Sequence, residues 1–67
     1  MKYHILYEHN DGRSRSKHEF EVDSELDLQL QENEASVMSL ALKDSVNYHK
    51  EGVGSIVVLS VKQLRGG

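Results

Sequence analysis

The chain has 67 residues, with 11 acidic and 8 basic side chains and a formal net charge of −3. This length predicts a single domain over residues 1–67, because a second hydrophobic core needs more chain. Cysteine is absent, which excludes disulfides and thiolate metal sites and favours a reducing compartment such as the cytoplasm. No apolar run approaches the roughly 18–20 residues of a membrane span. A net negative charge also disfavours direct binding to nucleic-acid phosphates.

Two stretches near the start predict a β-hairpin. Residues 2–8 are rich in Tyr, Ile and Leu and predict a first strand. A period-two alternation of mostly apolar with acidic or amide residues runs over residues 18–31 and predicts a second, half-buried strand. The sequence leaves two alternatives for residues 24–32, a continued strand or a helix. Ser24 begins a helix-capping pattern, whereas the leucines that follow keep the strand period.

The pairing register of the hairpin follows from burial. Pairing Ile5 with Val22 and Tyr7 with Phe20 places apolar side chains opposite one another. A tight turn at residues 10–12 would instead oppose Ile5 with Lys17 and Tyr7 with Arg15, which leaves the two β1 side chains without apolar cross-strand partners. We therefore expect the first register, in which His9 faces His18 and residues 10–17 form an open basic loop.

A helix is predicted over residues 33–50. Asn33 is a favourable N-cap, and Gly52 suits the end of the helix. One face of this helix carries the residues Val37, Met38, Ala41, Leu42, Ser45 and Val46.

Residues 55–64 predict the last strand, and their apolar run is typical of a strand buried on both faces. A right-handed crossover through the helix places this strand beside the first one. The expected fold is therefore α+β with the order ββαβ. It has a small three-stranded sheet in the order 2-1-3 and one helix packed on one face. This order leaves the apolar last strand at an edge, where a partner strand or a second subunit would cover it.

Charged residues supply the candidate binding surface. Alternation places acidic side chains on one face of the second strand, which either protects the sheet edge from aggregation or steers the domain onto a basic partner surface. Such a partner surface is typical of sites that normally hold nucleic acid. The basic residues of the preceding loop are either solvated or able to grip phosphate as a hairpin finger. The candidate partner-binding residues are Glu19, Glu21, Asp23, Glu25, Arg13 and Arg15.

Candidate chemistry is sparse. Two histidines at a mobile loop, His9 and His18, fall short of the convergent ligands that a metal site needs. The serines are not in a Gly-x-Ser-x-Gly nucleophile motif, and a three-stranded sheet with one helix offers little concave volume. We therefore expect no catalytic residues, no metal and no cofactor.

The end of the sequence carries a specific string, Leu64-Arg65-Gly66-Gly67. It resembles the tail of ubiquitin-like modifiers and sulfur-carrier proteins, whose terminal Gly-Gly is activated by adenylation. The resemblance implies that Gly67 is the conjugated residue and that Gly66, Arg65 and Leu64 form the recognition tail. It also implies a β-grasp fold, with a short helix at residues 24–34 and a strand at residues 36–43.

Two functions from different classes remain. The first is a small acidic, non-enzymatic module that binds a protein or protein complex through its acidic sheet edge. Its layout is similar to small bacteriophage and mobile-element proteins that block host complexes, an analogy at fold level. The alternative is the modifier or sulfur carrier that the tail implies. A homodimer through a sheet edge is compatible with the first function.

Overall fold

The computed structural model describes residues 1–48 and 54–64. Within these ranges three strands form one antiparallel sheet in the order β2-β1-β3, and one α-helix packs on one face. This architecture confirms the predicted α+β, ββαβ fold and its 2-1-3 sheet order. The elements are β1 (Lys2–Asn10), β2 (Arg15–Asp23), a 3-10 turn (Gln31–Asn33), α1 (Glu34–Ser45) and β3 (Ser55–Leu64).

The hairpin pairs two residues away from the predicted register. Ile5 lies opposite Phe20, and Tyr7 lies opposite His18, so His9 faces Ser16 instead of His18. A shift of two residues keeps every side chain on the same face of the sheet. The burial pattern alone therefore does not distinguish the two registers.

The connection between β1 and β2 is a compact turn over residues 11–14. It replaces the open loop predicted over residues 10–17. The Asp11 carboxylate accepts hydrogen bonds from the backbone N–H groups of Arg13 and Ser14, at 2.8 and 2.9 Å. Gly12 adopts a φ of +90°, which a residue with a β-carbon rarely adopts. These local bonds let β2 begin at Arg15.

The core lies between β1 and α1. β1 is the central strand, and its side chains Tyr3, Ile5 and Tyr7 are fully buried. Leu28 joins them from the segment between β2 and α1, and Val37 joins them from α1. Half-buried side chains complete this layer, namely Phe20, Val22, Leu40, Val58 and Val61.

Residues 24–30, which we call the crossover, are neither strand nor helix. The Ser24 hydroxyl accepts the Leu26 N–H at 3.0 Å, and the Asp27 carboxylate accepts the Gln29 N–H at 3.0 Å. These side chains bind the backbone groups that a strand ladder would need. Residues 24–30 therefore follow neither alternative that the sequence leaves open, a continued strand or a helix: Leu28 is buried, whereas Leu26 and Leu30 are 51% and 47% exposed.

α1 begins directly after Asn33, as predicted. The Asn33 side chain does not cap the helix but donates to the carbonyl of Asp27 at 2.7 Å. α1 ends at Ser45, and residues 46–48 form a turn. The helix predicted over residues 33–50 is therefore too long, because the N–H groups of Asn47 and Tyr48 donate to carbonyls three residues earlier, as in a turn. Residues 49–52, where the helix was predicted to end, lie outside the described residues.

The buried face of α1 is narrower than predicted and is rotated. Val37, Ala41 and Ser45 are buried, but Leu42 and Val46 are 40% and 60% exposed. Leu40 and Asp44 are half-buried and lie on the inner side of α1 instead. Asp44 accepts a hydrogen bond there from the buried Tyr7 of β1.

β3 is an edge strand with a bulge. Tyr7 lies opposite Val58 and Leu6 lies opposite Ser60, so Leu59 is an extra residue in β3. Val57 and Leu59 are 57% and 44% exposed, which contradicts the prediction of burial on both faces. The physical reason is that the described residues supply only one helical layer, and it covers one face of the sheet.

Candidate protein-binding surfaces

Acidic residues are strongly segregated along the chain. Residues 18–42 contain seven carboxylates and no Lys or Arg. In the fold, this stretch runs along the β2 edge, through the crossover and into the first turns of α1. We call these carboxylates the acidic band; its members are Glu19, Glu21, Asp23, Glu25, Asp27, Glu32 and Glu34.

The β2 part of the acidic band contacts basic groups of β1 and the N-terminal amine. Glu19 lies 3.3 Å from the His4 ring, which carries charge only when protonated, and Glu21 lies 3.7 Å from the Lys2 ammonium. Asp23 lies 3.1 Å from the N-terminal amine. All three carboxylates are exposed, so each pair contributes only about 0–1 kcal/mol to stability. The predicted acidic row is therefore present, but its charge is partly neutralised.

The remaining part of the acidic band has no such balance. Glu25, Glu32 and Glu34 are exposed, and none of them forms an ion pair with another described residue. Asp27 accepts a backbone N–H inside the crossover. The unbalanced negative charge thus concentrates at the crossover and the start of α1. Sequence reasoning singled out Glu25 but missed Glu32 and Glu34, although the lack of Lys and Arg over residues 18–42 is visible in the sequence.

The two predicted arginines lie at the other end of β2. Arg13 is exposed in the 11–14 turn, and Arg15 opens β2 with its guanidinium 3.7 Å from the Glu8 carboxylate. Glu25 follows the opposite end of the same strand. The structure therefore does not bring the arginines together with the unbalanced carboxylates.

An apolar groove lies beside the acidic band. It has a volume of about 730 Å³ and opens between the β3 strand on one side and the crossover and α1 on the other. Leu28 and Met38 line one wall, and Ile56 and Val58 line the other. Glu34 also lines this groove. Sequence reasoning did not predict the groove, but it did indicate an apolar strand at an uncovered edge.

A hydrogen bond and a ring stack join α1 and its following turn to the hairpin. The Tyr7 hydroxyl donates a hydrogen bond of 2.6 Å to the Asp44 carboxylate. Burial, reinforced by Asp44, raises the pKa of Tyr7 well above its usual range. The His18 ring stacks on Tyr48 with 4.1 Å between ring centroids. These contacts hold α1 and its following turn on the sheet.

Metal-binding geometry is absent from the described part of the chain, where no three His, Asp or Glu side chains converge on a common point. None of the helices in that part has the length and apolar character needed to cross a bilayer.

The tail string lies mostly beyond the described residues. Leu64 is the last residue of β3, and Arg65, Gly66 and Gly67 lie outside them. The strand that the modifier resemblance implies at residues 36–43 is not present, because these residues belong to α1. The β-grasp layout is therefore not the one observed.

A scan against protein-family models, a search of curated proteins and a search of solved structures each find no match to this chain.

Proposed function

We propose that this protein is a non-enzymatic binding module that docks on a basic surface of a protein or protein complex through its acidic band. The observation that carries this proposal is the segregation of charge, with seven carboxylates and no Lys or Arg over residues 18–42. A surface of one sign steers an oppositely charged partner and raises its association rate.

The two parts of the band contribute differently. Glu21 and Asp23 already form ion pairs with Lys2 and the N-terminal amine, and Glu19 contacts the His4 ring. These contacts within the chain reduce the attraction that the three carboxylates exert on a partner. Glu25 and Glu32 are exposed and form no ion pair with another described residue. We therefore assign the main electrostatic contact to the crossover end of the band, and a supporting contact to the β2 row.

A partner site that normally holds nucleic acid presents a matching basic surface. Occupying such a site would make the protein an inhibitor of the complex that contains it. The lack of cysteine favours the cytoplasm as the compartment where this binding takes place.

Charge neutralisation at the crossover tests the proposal. The full chain is used to capture its partner from cells of the source organism, at low salt and with quantification by mass spectrometry. The double variant Glu25→Gln/Glu32→Gln should lower the captured amount by about tenfold, because two unpaired carboxylates are removed. Raising the salt concentration should release the partner from the wild-type chain.

A control variant with the same net charge isolates the position of the effect. Ser14→Lys/Asn47→Lys also adds two positive charges, at exposed positions outside the acidic band. Its capture should match that of the wild type. Equal losses in both variants, or no captured partner, would contradict the proposal. A covalent adduct in the intact mass would instead favour the modifier function.

A further inference from the structure

We propose that the outer edge of β3 is a docking site for an extended segment of the partner, with apolar side chains at alternate positions and a Lys or Arg beside them. This inference rests on the proposed function, because it specifies how the partner binds. The site combines the unpaired edge of β3, the adjoining groove and the acidic groups at the crossover end.

The free edge is the first component. β3 pairs with β1 on one side, and no strand within the described ranges pairs with its other side. Residues 55–61 contain no charged side chain and no proline, the two features that commonly protect an edge strand. The Gln29 amide donates to the Val61 carbonyl at 3.2 Å and covers that point of the strand. Residues 55–60 are therefore left to accept an added strand.

The groove is the second component. Its volume of about 730 Å³ lies within the range of roughly 300–1,000 Å³ that is typical of ligand pockets. Because side chains alternate along a strand, every second residue of an added strand points toward the α1 side of the sheet. Those side chains would pack against Ile56 and Val58 from the edge, and against Met38 across the groove.

Charge selects the occupant. Glu34 lines the groove, Glu32 precedes it in the 3-10 turn, and the groove lining contains no Lys or Arg. A segment with a cationic side chain at this end would complement both carboxylates. A second copy of the chain would approach with a net charge of −3, which opposes its association at long range.

Peptide selection tests the docking site directly. The immobilised full chain is exposed to a display library of random linear peptides, and enriched sequences are read out. We expect peptides with alternating apolar residues and at least one Lys or Arg. Titration of an enriched peptide into the labelled protein should shift the NMR amide signals of residues 55–60 more than those of β2.

Neutralising the two carboxylates tests the charge requirement. Glu32→Gln/Glu34→Gln should weaken binding of the enriched peptide by about tenfold, while Ser14→Lys/Asn47→Lys should bind it like the wild type. Circular dichroism and thermal unfolding confirm that each variant keeps the fold.

Several results would overturn the inference. They are enrichment of acidic peptides, no enrichment, shifts confined to another surface, or unchanged binding by Glu32→Gln/Glu34→Gln. A dimer in sedimentation equilibrium with protected amides at residues 55–60 would also overturn it, because a second copy would then occupy the edge.

The two proposals fail separately. A captured partner that depends on Glu25 and Glu32 but leaves the amides of residues 55–60 unshifted retains the proposed function and refutes strand docking. Peptides that dock at β3 in the absence of any captured cellular partner would retain the docking site and refute the proposed function.

Discussion

At the scale of single residues, Tyr7 and Asp44 form the polar contact that joins β1 to α1 inside the core. Tyr7→Phe removes the 2.6 Å hydrogen bond and leaves a half-buried carboxylate without this donor. We expect a loss of about 1–3 kcal/mol in the free energy of unfolding, measured by urea denaturation at neutral pH.

Tyr3→Phe is the matched control for this substitution. Tyr3 is as deeply buried as Tyr7, but its hydroxyl donates to the Met1 sulfur at 3.3 Å, which is a weak acceptor. Its loss should be smaller than that of Tyr7→Phe.

A pH series checks the same contact independently. Tyr7 has a raised pKa in the folded state, so the unfolded chain releases this proton first, near the ordinary pKa of 10.0. Wild-type stability should therefore fall as the pH rises above about 10, and Tyr7→Phe should fall less steeply. Equal slopes in the two proteins would contradict the role assigned to Tyr7.

At the scale of elements, the most specific prediction concerns the leucines of the crossover. Leu28→Ala should cost about 2–5 kcal/mol, because Leu28 is 3% exposed and packs in the core. Leu26→Ala and Leu30→Ala should each cost less than about 1 kcal/mol, since both side chains are roughly half exposed. Urea denaturation of the three variants provides the comparison. Similar losses at all three positions would indicate a strand through the crossover instead.

These elements also show what the sequence could predict. The burial of Tyr3, Ile5 and Tyr7 follows from the strand period, and the sheet order agrees with the predicted crossover that sets the last strand beside the first. The register did not follow, because a shift of two residues preserves the faces. The end of β2 did not follow either, because Ser24 and Asp27 bind local backbone groups that the apolar alternation does not reveal.

The candidate site was also predictable from the sequence only in part. The acidic row of β2 was predictable from alternation, since its side chains share one face. Its neutralisation by Lys2, His4 and the N-terminus depends on diagonal cross-strand neighbours, and these required the observed register. The groove required the position of α1 over the sheet, which no local pattern specifies.

At the scale of the whole molecule, the described fold has two layers with different surfaces. One face of the sheet is covered by α1, and the other carries exposed ion pairs and apolar residues of β3 such as Val57. The central strand is paired on both sides, whereas among the described residues β2 and β3 each pair with a strand on one side only. Of these two edges, the one formed by β3 lies next to the groove.

Hydrogen exchange tests this asymmetry. Amides of β1 are bonded to β2 or β3, so they should exchange slowest and report global unfolding. Amides of residues 55–60 that point away from β1 should exchange at least about tenfold faster, because none of the described strands covers them. Exchange measured by NMR at two protein concentrations separates the alternatives. Protection of these amides that grows with concentration would show that a second copy covers β3. Protection that appears only when a basic peptide is added would show that the edge is free in the isolated chain and closes on its partner.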